Sequence, residues 1–109
     1  MCDLAWATGR TEASYEHAAR GKLAARLGET ERSLTEAGRA VELAEPTDLV
    51  VWRADAYGAL AEVLLLADRP SEAASAAETA LALCEAKENV AAASHARRLL
   101  EAIRAEAKT

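Results

Sequence analysis

The stretch from Ala54 to Glu85, ADAYGALAEVLLLADRPSEAASAAETALALCE, decides the fold of this chain. Its first half sets Tyr57, Leu60, Ala61, Leu64 and Leu66 at helical spacing, and its second half repeats the rhythm with Ala73, Ala77, Ala80 and Leu81. Asp68-Arg69-Pro70 stands between them. Proline has no amide hydrogen and suits the first turn of a helix, so Pro70 opens the second helix just after the first has stopped. Helices joined by so short a turn lie antiparallel. The stretch therefore reads as one helical hairpin of a repeat array, with small residues where the two helices meet.

Working outward toward the N-terminus, Thr47 or Asp48 offers a cap for the helix that runs to Ala67. Pro46 stops an earlier helix, which begins from a cap at Thr30 and carries Leu34, Ala37, Val41 and Leu43 to Glu45. Before that, from about Thr11, Tyr15, Ala18, Ala19, Lys22, Leu23, Ala24 and Leu27 form a helical pattern that Gly28 ends. Residues 1–10 carry no decisive pattern: Leu4 and Trp6 fit either a turn of helix before Gly9 or the frayed end of an element. Toward the C-terminus, Asn89 offers a cap for a last helix from Val90 through Ala96, Leu99, Leu100 and Ile103 to Ala107. The expected domain spans 11–109, as a hairpin over 11–45, a hairpin over 48–86 and a final helix over 89–107.

Composition supports an all-α reading. Apolar residues make up 51% of the 109, much of that alanine, and phenylalanine is absent. Alanine is the best helix former and lets helix axes approach toward the short end of about 8–10 Å, while valine, isoleucine and threonine are too sparse for a sheet. The formal net charge of −5 argues against a general nucleic-acid binder, which needs clustered basic residues to displace counterions from phosphates. No apolar run reaches the roughly 18–20 residues that cross a bilayer, since Glu62 interrupts even Gly58 to Ala67. The opening Met1-Cys2-Asp3-Leu4-Ala5-Trp6 lacks a basic leader before an apolar stretch. The expected setting is cytoplasmic, with Cys2 and Cys84 as reduced thiols, since they form neither a metal-ligand spacing nor a disulfide framework.

An internal repeat emerges when the chain is slid by 40 residues. Gly21 then falls on Ala61, Leu23 on Val63, Ser33 on Ala73, Ala37 on Ala77, Ala40 on Ala80 and Val41 on Leu81; further on, Val50 falls on Val90, Ala56 on Ala96 and Leu60 on Leu100. Size classes recur although identities seldom do. Gly21 and Ala61 are expected to face Ser33, Ala73, Ala40 and Ala80 within each hairpin, and Leu60, Leu64, Leu81 and Leu83 to fill the seam between hairpins.

These residues resemble the tetratricopeptide repeats. Tyr57, Leu60, Ala61 and Leu64, then Asp68-Arg69-Pro70-Ser71-Glu72-Ala73, then Ala77 and Ala80-Leu81, look like that family's order of large residue, leucine, small residue, turn and alternating alanines. Gly21 to Val41 is a weaker copy, and Val90 to Ala107 resembles the first helix of a third. The period of 40 exceeds the family's usual 34, Ala77 stands where a bulky residue is common, and Glu85 stands where proline often ends the helix. More narrowly, Ala44-Glu45-Pro46-Thr47-Asp48, Leu60-Ala61-Glu62-Val63-Leu64 and Lys87-Glu88-Asn89-Val90 look like the long-period repeats near the C-terminal end of large bacterial signalling ATPases and nucleotide-cyclase-associated regulators. The resemblance implies TPR-like antiparallel hairpins stacked as a short right-handed solenoid of about two and a half repeats, five helices in all.

It also implies a scaffold for protein–protein interaction, in which the first helix of each hairpin lines a concave groove. The groove candidates are Tyr15, Lys22 and Arg26, then Asp55, Glu62 and Leu65, then His95, Arg98 and Ala102, each of which as a structural residue is simply a solvated position on a helix. The paired lysine and asparagine with which some members hold a terminal carboxylate are not matched at Ala18, Lys22 and Ala59. The mixed charges of Lys22, Arg26, Asp55 and Glu62 point instead to a polar helix or a segment of alternating charge as ligand.

Nothing in the sequence points to catalysis, a cofactor or a metal. His17 and His95 lack partner ligands at helical spacing; Cys84 sits between Leu83 and Glu85 without a neighbouring base and reads as packed; the five glycines form no phosphate-cradling loop. The expected function is a non-catalytic interaction module binding a protein or peptide, a regulatory segment of a bacterial signalling or transcription protein. The alternative is a helical domain that binds RNA or a small ligand through the basic last helix, with Arg97, Arg98, Arg104 and Lys108, although Glu101 and Glu106 are interleaved there. Trp52, Leu64, Leu65 and Leu66, with Leu4 and Trp6, further suggest an apolar contact surface, hence a homo-oligomer or part of a larger chain.

Overall fold

The computed structural model describes residues 4–47, 50–86 and 90–107. They form five helices and, among the described residues, no strand: α1 (Leu4–Arg26), α2 (Thr30–Ala44), α3 (Val50–Leu66), α4 (Pro70–Ala86) and α5 (Val90–Ala107). α1 and α2 make one antiparallel hairpin and α3 and α4 a second. α3 packs against both helices of the first hairpin, and α5 packs chiefly on α4. None of these helices is long and apolar enough to cross a membrane.

The two hairpin turns share one geometry, offset by 40 residues. After α1, the amide of Glu29 donates to Ala24 O at 2.9 Å and that of Gly28 to Ala25 O at 3.2 Å; after α3, Arg69 donates to Leu64 O at 2.9 Å and Asp68 to Leu65 O at 3.1 Å. This is the Schellman arrangement, which needs a left-handed residue just beyond the helix. Gly28 supplies it at φ 80° and Asp68 at φ 63°. Each next helix then starts without delay: Ser33 N reaches Glu29 O at 2.9 Å, and Ala73 N reaches Arg69 O at 3.0 Å. Thr30 and Pro70 are thus equivalent first residues. That corrects the expected cap at Thr30: the cap position belongs to Glu29, whose side chain makes no capping bond, because the amide of Glu29 is already closing α1.

A second correction concerns the start of α1. The first helix begins at Leu4 and passes through Gly9 without a break, so residues 4–10 are part of the first hairpin and not a separate segment. A helical glycine costs about 1 kcal/mol relative to alanine, and tertiary bonds offset it. Arg10 Nε donates to Leu43 O at 3.0 Å and a terminal nitrogen to Glu42 O at 3.2 Å. Those are two of the last four carbonyls of α2, which a helix leaves without internal donors. The other two are also served, Val41 O by Glu45 N at 2.8 Å and Ala44 O by Thr47 through its amide at 3.0 Å and hydroxyl at 2.8 Å. Thr47 therefore helps to close α2. The alternative cap Asp48, the Asn89 cap, Cys2, Lys108 and the side chains of Leu4 and Trp6 lie outside the described residues.

The core is built from small side chains on the facing stripes. Gly21 sits so close to α2 that an added Cβ would lie 3.1 Å from Ala37 N and 3.2 Å from Ser33 O. One repeat later, Ala61, Ala73 and Ala77 pack together, fully buried, with Leu64, Leu100 and Ile103 and with Leu60 and Leu81 against them. Ala40 is not at that crossing as expected, because antiparallel helices place it two turns along, where Ser14 Oγ donates to Ala40 O at 2.7 Å in the interior and Ala40 packs with Ala44 of its own helix and with Ala56 of the neighbouring hairpin. The seam between hairpins is latched at its end by Glu45, which accepts from Tyr57 Oη at 2.6 Å and from Arg53 at 3.1 Å. The Tyr57 bond and the Arg53 charge hold the Glu45 carboxyl below its ordinary range against a smaller opposing effect of burial, and the same bond raises Tyr57.

Candidate functional site

Between the first helices of the three units lies an open concavity of about 490 Å³, within the range of ligand pockets. It exists because α3 packs broadly on α1 but barely touches α5. The gap between α3 and α5 opens down to α4, whose Ala80 and Cys84 form the floor. The walls are small: Ala18 and Ala19 from α1, Gly58 and Ala59 from α3, Ala96 from α5. Polar groups stand around this apolar base.

Five of the residues singled out from sequence come together here: Tyr15, Lys22, Asp55, Glu62 and His95. Lys22 Nζ reaches across from α1 to Glu62 Oε2 on α3 at 3.8 Å. Asp55, an exposed residue, feels the charges of both Lys22 and His95, and desolvation, which outweighs their opposing pull, pushes its carboxyl above the ordinary aspartate range. At one end, the rings of Tyr15 and Trp52 meet edge to face, 5.9 Å between centroids at 77°, with Tyr15 61% and Trp52 37% exposed.

The other candidates do not line the concavity. Leu65 is partly buried against the core cluster around Ala61 and Leu64. Arg26 and Arg98 are exposed and stand off the lining, as does Ala102. The physical reason is angular. On an α-helix, Leu99 lies four residues from His95 and only about 40° around the axis, whereas Arg98 lies about 60° to the other side; Leu99 is the one that lines the cavity. Trp52 follows from Asp55 by the same rule, three residues earlier on one face. The floor residues Ala80 and Cys84 had no signal as site residues, since their placement depends on the gap between α3 and α5.

Of the groups with possible chemistry, Cys84 is buried, and burial first, then the Asp55 and Glu85 carboxylates, raise its thiol. That keeps it protonated and a poor nucleophile. His17 Nδ1 lies 2.9 Å from Glu36 Oε2 and ties α1 to α2, outside the concavity. Among the described residues no three histidine, cysteine or acidic side chains gather as metal ligands. On the last helix, Arg97 is engaged by Glu85 at 3.0 Å.

Compared with family models, curated proteins and solved structures, the chain finds no match.

Proposed function

We propose that the chain is a non-catalytic interaction module of tetratricopeptide-like architecture, whose concavity along α1, α3 and α5 holds a segment of a protein partner. One observation carries this reading: five polar and aromatic candidates from three different helices converge on a single open depression with an apolar floor. Convergence of a few polar groups over small apolar residues is the general form of a binding site. An apolar base supplies contact area and the charged rim supplies orientation. The engagement of Arg97 by Glu85 and the net charge of −5 favour a protein segment over RNA as the ligand.

A photo-crosslinking side chain placed at Ala19, on the wall of the concavity, tests the proposal in cells of the source organism. The expected result is a discrete crosslinked partner from Ala19 and none from the same group at Glu78, which is exposed on α4 away from the concavity. Crosslinks from Glu78 alone, or the same products from both positions, would overturn it.

A further inference from the structure

The concavity has a charge preference as well as a shape. Among the described residues, Lys22 is the single lysine or arginine on its lining, against the carboxylates of Asp55 and Glu62, so these three groups sum to one net negative charge. Lys22 is already drawn to Glu62 at 3.8 Å. Asp55 is left with no hydrogen bond or ion pair within 4.0 Å among the described residues, although it faces Lys22 and His95 at longer range. One helical turn away stands the exposed edge-to-face pair of Trp52 and Tyr15, and aromatic faces attract cations within about 6 Å of the ring.

We propose that this site takes the cationic side chain, lysine or arginine, of a partner peptide, with its charge at Asp55 and its alkyl stem against Trp52 and the alanine floor. The proposal rests on the groove-binding reading and names its ligand. An acidic side chain is disfavoured there, because it would stand beside Asp55 and find Lys22 already engaged. A divalent ion is disfavoured because no three ligating side chains converge among the described residues. A long basic side chain fits the layout, since its stem covers apolar surface while its head reaches a carboxylate.

The probe is a blocked Ala-Arg-Ala tripeptide and its counterpart with neutral citrulline in place of arginine, titrated into the full chain at low salt and followed by the backbone amide resonances of Trp52, Asp55, Ala59 and Leu99. The arginine peptide is expected to shift these resonances saturably, and the citrulline peptide to bind at least about tenfold more weakly, the scale of a partly desolvated charge-assisted bond. D55N is expected to bring the arginine peptide down to the citrulline level with the thermal midpoint no lower. Equal binding of the two peptides by the unaltered protein, absence of any shift, or full arginine binding by D55N would each overturn the assignment. A partner crosslinked at Ala19 whose binding ignores D55N would overturn the charge preference and leave the groove reading standing; absence of a discrete Ala19 crosslink in the protein with Asp55 intact would remove the groove reading.

Discussion

At the scale of single residues, the two hairpin turns form a natural experiment. Gly28 and Asp68 occupy the same left-handed position one repeat apart, and a left-handed L-residue costs roughly 1–2 kcal/mol, somewhat less for aspartate. Nothing lies within 4 Å of a Cβ built at Gly28, so G28A tests conformation alone. We expect G28A to lose about 1 kcal/mol in urea unfolding and D68G to gain about 0.5–1 kcal/mol, the gain trimmed by the greater freedom of glycine in the unfolded chain. If G28A left the midpoint unchanged, Gly28 could not be the left-handed residue that closes α1. Asp55 presents the opposite case: its carboxyl is raised by desolvation although the residue is exposed, so ionisation works slightly against the fold, and stability falls a little as pH rises from the unfolded aspartate value through the folded one.

At the scale of elements, the order of helices was legible because punctuation marks it: Gly28, Pro46 and Pro70 stop or open helices by backbone geometry that does not depend on the rest of the fold. The start of α1 was not legible, since local propensity at Gly9 argues for a break and the bonds from Arg10 to Glu42 and Leu43 are made 32 and 33 residues away. The candidate site divides the same way. Tyr15, Lys22, Asp55, Glu62 and His95 follow from the resemblance to tetratricopeptide repeats, which implies a groove along the first helix of each unit, but choosing Leu99 over Arg98 needs the rotation of α5, and finding Cys84 needs the gap that exposes α4. Packing inside the first hairpin makes a sharper prediction. G21A would gain about 1 kcal/mol of helix propensity, yet its Cβ would press on backbone atoms of α2 at 3.1 and 3.2 Å. α2 is held in place by Ser14, His17 and Arg10, so it cannot withdraw freely, and overpacking costs about 1–3 kcal/mol. We expect a net loss of about 1 kcal/mol for G21A. G38A, where nothing lies within 4 Å, is expected to gain about 0.5–1 kcal/mol; a gain at both positions by thermal unfolding would show that α2 yields to a methyl group and that the hairpin is loosely packed at Gly21.

At the scale of the molecule, the 40-residue repeat lets one helix stand as the control for another. Stacked repeats draw stability from neighbour interfaces and need polar outer faces. Where α3 carries buried Ala56 and half-buried Leu60, and α5 buried Ala96 and Leu100, α1 carries exposed Glu16 and Arg20, paired at 3.8 Å. At the far end, the small buried residues Gly21 and Ala61 give way to exposed Glu101, and buried Leu64 to exposed Arg104. Leu23 breaks the rule: it is 58% exposed, while its equivalents Val63 and Ile103 are fully buried. Among the described residues α1 has only α2 and α3 against it, whereas α3 is held by α1, α2 and α4, so one repeat position does two different jobs. Of the apolar surface expected on α3, Leu64 and Leu65 are mostly covered while Leu66 is 60% and Trp52 37% exposed, and Leu27, near Leu23 on α1, is 66% exposed. V63A removes two buried methyl groups and is expected to cost about 2 kcal/mol, transfer and cavity together. L23A removes more carbon from an exposed position and is expected to stay within about 0.5 kcal/mol. Urea unfolding is run at dilutions where light scattering shows one species, so that loss of an intermolecular contact at Leu23 is not read as loss of folding stability. Equal costs at the two positions would mean that α1 is covered as α3 is, and would sink the assignment of α1 to the open end of the stack.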